Sequence, residues 1–250
     1  MSNSTFNQPN DQHTFIKSIL MHVAPGVLAT LAFLVIKPLL DPSGYPPLMA
    51  FLMAVLLIDI PFMLGVMLYE GKKLNGRLSL DGVVLHREKV SWKTLIWVFV
   101  VAFVVTFLLI NLTIPLTSFL KENIFGFLPK WLDLEEQTQY EAYSRNILLV
   151  VFTLQLVITG VILPWVEELY FRGYLMPRIS RYGKWAPLLG GLFFGLYHVW
   201  QLFGFFTVFL LGAVLSYLVW WKKDLRLSIS LHVVANIIGR LMILLAAITM

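Results

Sequence analysis

The chain has 250 residues, 58% of them hydrophobic and 13% charged, whereas an ordinary soluble domain is about one quarter charged. That balance excludes a separate soluble domain and implies an all-α, polytopic membrane protein. The net charge of +5 lies in short loops and gives no basic surface for nucleic acid, and the absence of cysteine excludes disulfides and thiol chemistry.

Residues 1–14 lack the basic stretch and short apolar core of a signal peptide and read as a disordered cytoplasmic tail. Residues 15–250 read as a single transmembrane domain of about seven spans (seven to eight), each near the roughly 20 residues that cross a bilayer. Span one is Phe15–Leu40 and span two Pro47–Tyr69. The loop "EGKKLNGRLSLDGVVLHREKV" carries Asn-Gly and Asp-Gly turn signals, which predict a small hairpin at the membrane surface. Span three is Trp92–Leu116, followed by a polar stretch salted with Phe, Leu and Trp that suits the interface. Spans four to seven are Asn146–Leu163, Trp185–Leu202, Phe205–Trp221 and Leu227–Ile248. Basic loops follow spans two, four and six, while the loop after span three is outweighed by Glu122, Asp133, Glu135, Glu136 and Glu141. This alternation puts the amino terminus in the cytoplasm of a multi-pass cell-membrane protein.

Polar residues inside spans cost free energy and are functional candidates by default. Here they are Asp59, Glu167, Glu168, His198, His232, Asn236 and Arg240. The last three recur every four residues, on one helical face. A lone Asn or His in a span is more often interhelical packing; a carboxylate pair with two histidines and an asparagine on three spans points to chemistry. A carboxylate kept from bulk water can serve as a general base, with imidazole and carboxamide donors stabilising a developing oxyanion. Glu167, His198 and His232 could instead form a three-ligand zinc set. Either route hydrolyses an amide in or beside the membrane.

Adjacent helical residues point about 100° apart, so Glu167 and Glu168 have different tasks. Glu168 and Arg172, four apart, can pair, which leaves Glu167 as the free carboxylate. Asp59 and Arg240 fall at similar depth and are expected to form a structural ion pair. Counting from the span ends puts His198 about 20 Å deep and the glutamates much shallower, and the alternating basic loops, with His232 close behind the entry to span seven, open the pocket to the cytoplasm.

The motifs "EELYFR" (Glu167, Glu168, Arg172), "FGLYH" (Phe194, His198) and "HVVAN" (His232, Asn236) resemble, in order and near spacing, those of the CAAX-protease and bacteriocin-processing family of intramembrane proteases, which includes the type II CAAX prenyl endopeptidases. The resemblance covers about residues 146–240, the expected catalytic core. It implies an endopeptidase acting on a membrane-associated peptide or protein. Glu167 and His198 would activate water, and His232 and Asn236 would form the oxyanion site. It favours a metal-free mechanism, with zinc on Glu167, His198 and His232 as the alternative. Two other functions fit the same scaffold: a non-proteolytic protein giving bacteriocin self-immunity, and a small transporter. No paired half-repeats favour the transporter.

Overall fold

Three prolines shape the bundle. A proline has no N–H for the carbonyl four residues back, and its ring crowds that carbonyl. The helix widens ahead of each ring. Pro61, Pro164 and Pro177 follow the π-helical segments Val55–Asp59, Ile158–Ile162 and Glu168–Leu175. Each closes through an amide five residues on: Ile60 to Val55, Leu163 to Ile158, Met176 to Phe171. Carbonyls released in this way bind other segments. Gly173 O, four residues before Pro177, accepts from Leu85 N at 2.9 Å. Thr159 O, skipped by Leu163, accepts from Asn236 Nδ2 at 3.2 Å.

The computed structural model describes residues 11–134 and 137–249. Its helices are α1 (Phe15–Leu40), α2 (Pro47–Ala54), α3 (Ile60–Asn75), α4 (Trp92–Phe119), α5 (Arg145–Val157), α6 (Leu163–Glu167), α7 (Ala186–Tyr197), α8 (Phe205–Lys222) and α9 (Leu225–Thr249). Thr14 caps α1 by accepting from Lys17 N, and Ser91 caps α4 by accepting from Thr94 N. Among the described residues, six helical runs are long and apolar enough to cross a membrane, the longest being Arg145–Tyr197 with 53 residues.

That longest run doubles back at Gly183, where φ is 57° and ψ −128°. Before the turn it descends beside α1: Tyr170 donates to Met21 O at 2.8 Å, and Arg178 O accepts from His13 N at 2.8 Å. After the turn it climbs again, with Phe193 against Phe15 and then His22, and Tyr197 O against Gly26. Spans four and five are thus two legs of one run, and the bundle is polytopic and all-helical as the hydropathy demands. Span five is shorter than the apolar stretch implies. The α-helix stops at Tyr197, and Val199–Gly204 continues as 3-10 turns.

Several boundary expectations need correction. Asp11–Thr14 are docked rather than loose: Arg178 Nε donates to Asp11 at 2.9 Å and Gln12 Nε2 to Pro177 O at 3.0 Å. The rest of the expected tail lies outside the described residues, as do Glu135 and Glu136. The loop after α3 forms no hairpin. Its residues run beside the α8–α9 junction, joined by the antiparallel bridge Arg87–Asp224, because Asp224 accepts from Val90 N at 2.9 Å and Leu225 N donates to His86 O at 3.0 Å. After α4 the chain folds over one end of the bundle, with Trp131 edge-on to Phe33 at 5.9 Å.

α7 and α8 touch backbone to backbone. A Cβ on Gly191 would lie 2.5 Å from Ala213 N, the close approach that small residues permit between membrane helices. This contact brings Gly212 O, on α8, within reach of the buried Arg172.

Candidate active site

Span four does not end at its charged motif. The helical leg continues through Glu167 and Glu168 to Arg178, so the two carboxylates sit mid-leg, 2% and 0% exposed. Glu168 is neutralised inside the protein by Arg172, which is why a polarity threshold stops the span too early. This removes the depth mismatch with His198.

Glu168 and Arg172 pair as their spacing predicts, Nη1 to Oε1 at 2.8 Å, inside one π-helical segment. Arg172 is 1% exposed. It also donates to Gly212 O at 3.0 Å and Ser216 Oγ at 3.3 Å, and stands 4.2 Å from the centre of the Phe194 ring. It thereby ties the leg to α7 and α8. Glu168 Oε1 takes a second bond, from His232 Nδ1 at 2.8 Å. Because Nδ1 carries that proton, His232 presents Nε2 to Glu167, 3.6 Å from Oε2. Glu168 is the orienting group for His232, and Glu167 Oε1 is buried without a hydrogen-bond partner.

His198 is held in a similar way. A carbonyl only accepts, so His198 Nδ1 donates to Phe194 O at 2.8 Å, and the neutral ring keeps the Nε2 lone pair for other use. The Phe194 ring lies 4.7 Å from His198 and 5.9 Å from His232. Phe194 is thus the packing partner of both imidazoles and of Arg172. Asn236 spends one Nδ2 hydrogen on Thr159 O, the carbonyl released by the Ile158–Ile162 turn, and has a second to give. Glu167, His198, His232 and Asn236 all line one cavity of about 270 Å³, walled also by Thr106, Thr207 and Trp200.

Among the described residues no group of three or more His, Asp or Glu side chains is placed to hold a metal ion. His232 faces one glutamate with each ring nitrogen, Glu168 through Nδ1 and Glu167 through Nε2.

Two expectations fail on facing. Asp59 and Arg240 do not pair. Asp59 Oδ2 takes the Tyr197 hydroxyl at 2.5 Å and Oδ1 makes no hydrogen bond. Arg240 instead lines the cavity on the side of Gly160 and Thr159. Equal depth does not make neighbours: α9 packs on α5, α6, α4 and α8, away from the turn that carries Asp59. The cavity also does not lie toward the basic loops. It runs along α9 from His232 to Arg240, toward the end where Arg145 donates to Ile248 O, because Arg172 and its partners fill the basic-loop side. Sequence reasoning missed Tyr197, although it stands inside "FGLYH" next to His198. An aromatic residue at that position reads as core, and only the buried Asp59 without a partner on its own helix hinted at a polar contact.

Residues 149–238 match the family model described as type II CAAX prenyl endopeptidase Rce1-like. The match spans all three motifs, from before Glu167 to beyond Asn236. Neither the curated proteins nor the solved structures gave a significant match.

Proposed function

We propose that this multi-pass membrane protein, whose residues 149–238 match a family of CAAX-type endopeptidases, is an intramembrane endopeptidase that cleaves a membrane-associated peptide or protein with water activated by Glu167 and His198. The observation that carries the reading is the buried, unpartnered Glu167 Oε1 beside a cavity shared with His198, His232 and Asn236.

The steps follow from the donors and acceptors. Water donates one hydrogen to Glu167 and the other to His198 Nε2. Glu167 takes the proton as the oxygen attacks the scissile carbonyl carbon. The oxyanion accepts from the second Asn236 N–H, and from His232 Nε2 when that ring carries both protons. Glu167 then returns its proton to the departing nitrogen. Glu168 keeps His232 turned to the cavity throughout. Lipids solvate the outer face of the bundle, the cell membrane is its location, and the basic loops face the cytoplasm.

Comparing peptides from membranes carrying wild type or Glu167→Gln tests the reading. A cleavage present only with wild type is expected, with the variant inserted at equal level. Purified wild type and Glu167→Gln turning over the same peptide equally would overturn it. Asn236→Ala should cost about 10²-fold in kcat if the amide donates to the oxyanion.

A further inference from the structure

Asp59 lies outside the three motifs, yet it touches their centre. It is 0% exposed and sits in the wide turn Val55–Asp59 that Pro61 imposes. Its Oδ2 accepts from Tyr197 at 2.5 Å, and the same hydroxyl lies beside the carboxyl of Glu167. Tyr197 is also fully buried, and its backbone is clamped: Gly26 of α1 comes so near that a Cβ there would fall 1.9 Å from Tyr197 O. A carboxyl buried in a membrane bundle and joined to the proposed base through one phenol is an expensive arrangement for packing alone. Arg172 is committed to Glu168.

We propose that Asp59 and Tyr197 form a proton relay behind Glu167, with Asp59 as a positioning residue and proton store for the hydrolytic step. The inference rests on the protease reading above. After Glu167 takes the proton from water, its O–H donates to the Tyr197 oxygen while the Tyr197 proton passes to Asp59. One O–H bond forms at each acceptor as one breaks at each donor. The relay leaves Glu167 as a carboxylate, Tyr197 neutral and Asp59 protonated. The reverse transfer restores the proton to Glu167 for delivery to the leaving nitrogen. Between transfers, the Asp59–Tyr197 bond fixes the hydroxyl beside Glu167.

Two conservative variants test this. Asp59→Asn keeps size and an acceptor for Tyr197 but stores no proton, and Tyr197→Phe removes the hydroxyl. Each should lower kcat at least about tenfold with KM unchanged, short of the 10²–10⁴ typical of losing a general base itself. The double variant should be no worse than the more damaged single, because both break one chain. In mixtures of light and heavy water, kcat of wild type should curve with deuterium fraction, while either variant falls linearly because a single proton moves. Full kcat in Asp59→Asn, losses that multiply in the double variant, or a linear wild-type plot overturns the relay. Infrared spectra separate it from the protease reading. The carboxyl band removed by Glu167→Gln should shift in Asp59→Asn protein whether or not a peptide is cleaved. An unmoved band overturns the link. A shifted band in a protein that cleaves nothing upholds the link and overturns only the protease reading.

Discussion

Arg172→Met removes one guanidinium and disturbs four contacts at once. The side chain is buried and bonds Glu168 at 2.8 Å, Gly212 O at 3.0 Å and Ser216 Oγ at 3.3 Å, with Phe194 stacked against it. Methionine fills most of the volume but strands Glu168, whose Oε1 keeps only His232 and whose Oε2 has no hydrogen-bond partner already. Breaking a buried pair on one side costs about 3–5 kcal/mol. At about 2–4 °C per kcal/mol for a chain of this size, the melting midpoint should fall by about 6–20 °C. Activity should fall as well, since Glu168 turns toward other donors and takes His232 with it. Adding Glu168→Gln removes the stranded charge while its amide oxygen still accepts from His232 Nδ1. That double variant should therefore recover most of the midpoint. Thermal melts of detergent-purified protein, read alongside peptide turnover, decide the matter. An unchanged midpoint in Arg172→Met, or a double variant as damaged as the sum of the singles, would refute the account of Glu168 as a charge held by Arg172.

Three further outcomes are expected. Gly26→Ala should abolish activity and destabilise, because its Cβ meets Tyr197 O at 1.9 Å, whereas Gly65→Ala on α3, with nothing within 4 Å, should be neutral or gain up to about 1 kcal/mol of helix propensity; equal melts for the two would show that α1 does not clamp Tyr197. Burial, with the Lys223 ammonium near, holds the His86 imidazole down to about 4. Since the unfolded ring titrates near 6.5, its contribution is complete above about 6.5 and is lost as pH falls from there toward 4. His86→Asn, which suits the φ of 60°, should flatten the drop in melting midpoint between neutral and mildly acidic buffer, and an unaltered drop would place the titration elsewhere. Single cysteines at Ser118 and Lys184 in this cysteine-free chain should react with an impermeant reagent in intact cells at Ser118→Cys only, and the reverse pattern would invert the topology.

Hydropathy located most spans closely. α1 runs over Phe15–Leu40 and α4 starts at Trp92, as read, because lipid-facing residues carry no competing signal. The motif residues of three helices meet at one cavity, as their shared polarity implied. The remainder depended on quantities that a hydropathy profile lacks. Span four was cut short because Glu168 and Arg172 cancel each other only in three dimensions. Asp59 was given the wrong partner because depth along a helix can be counted from sequence, while the direction it faces depends on how the wide turns at Pro61 and Pro164 rotate everything after them. Tyr197 stayed hidden because its ring packs like core and only its hydroxyl is polar.

The early stop of α7 has a consequence for solvent. Twelve helical residues rise about 18 Å, short of the roughly 30 Å of hydrocarbon, so the bend at His198 falls where lipid would ordinarily be. Irregular backbone at that depth persists only against protein or a hydrated space. One side of the bend is sealed by Gly26 and α1, and the other gives onto the cavity that holds Glu167. A hydrated cavity would therefore serve the backbone at His198 as well as the reaction proposed above. On the proposed reading, the water that hydrolysis would consume is the same water that would solvate this bend, so backbone and reaction would draw on one pool.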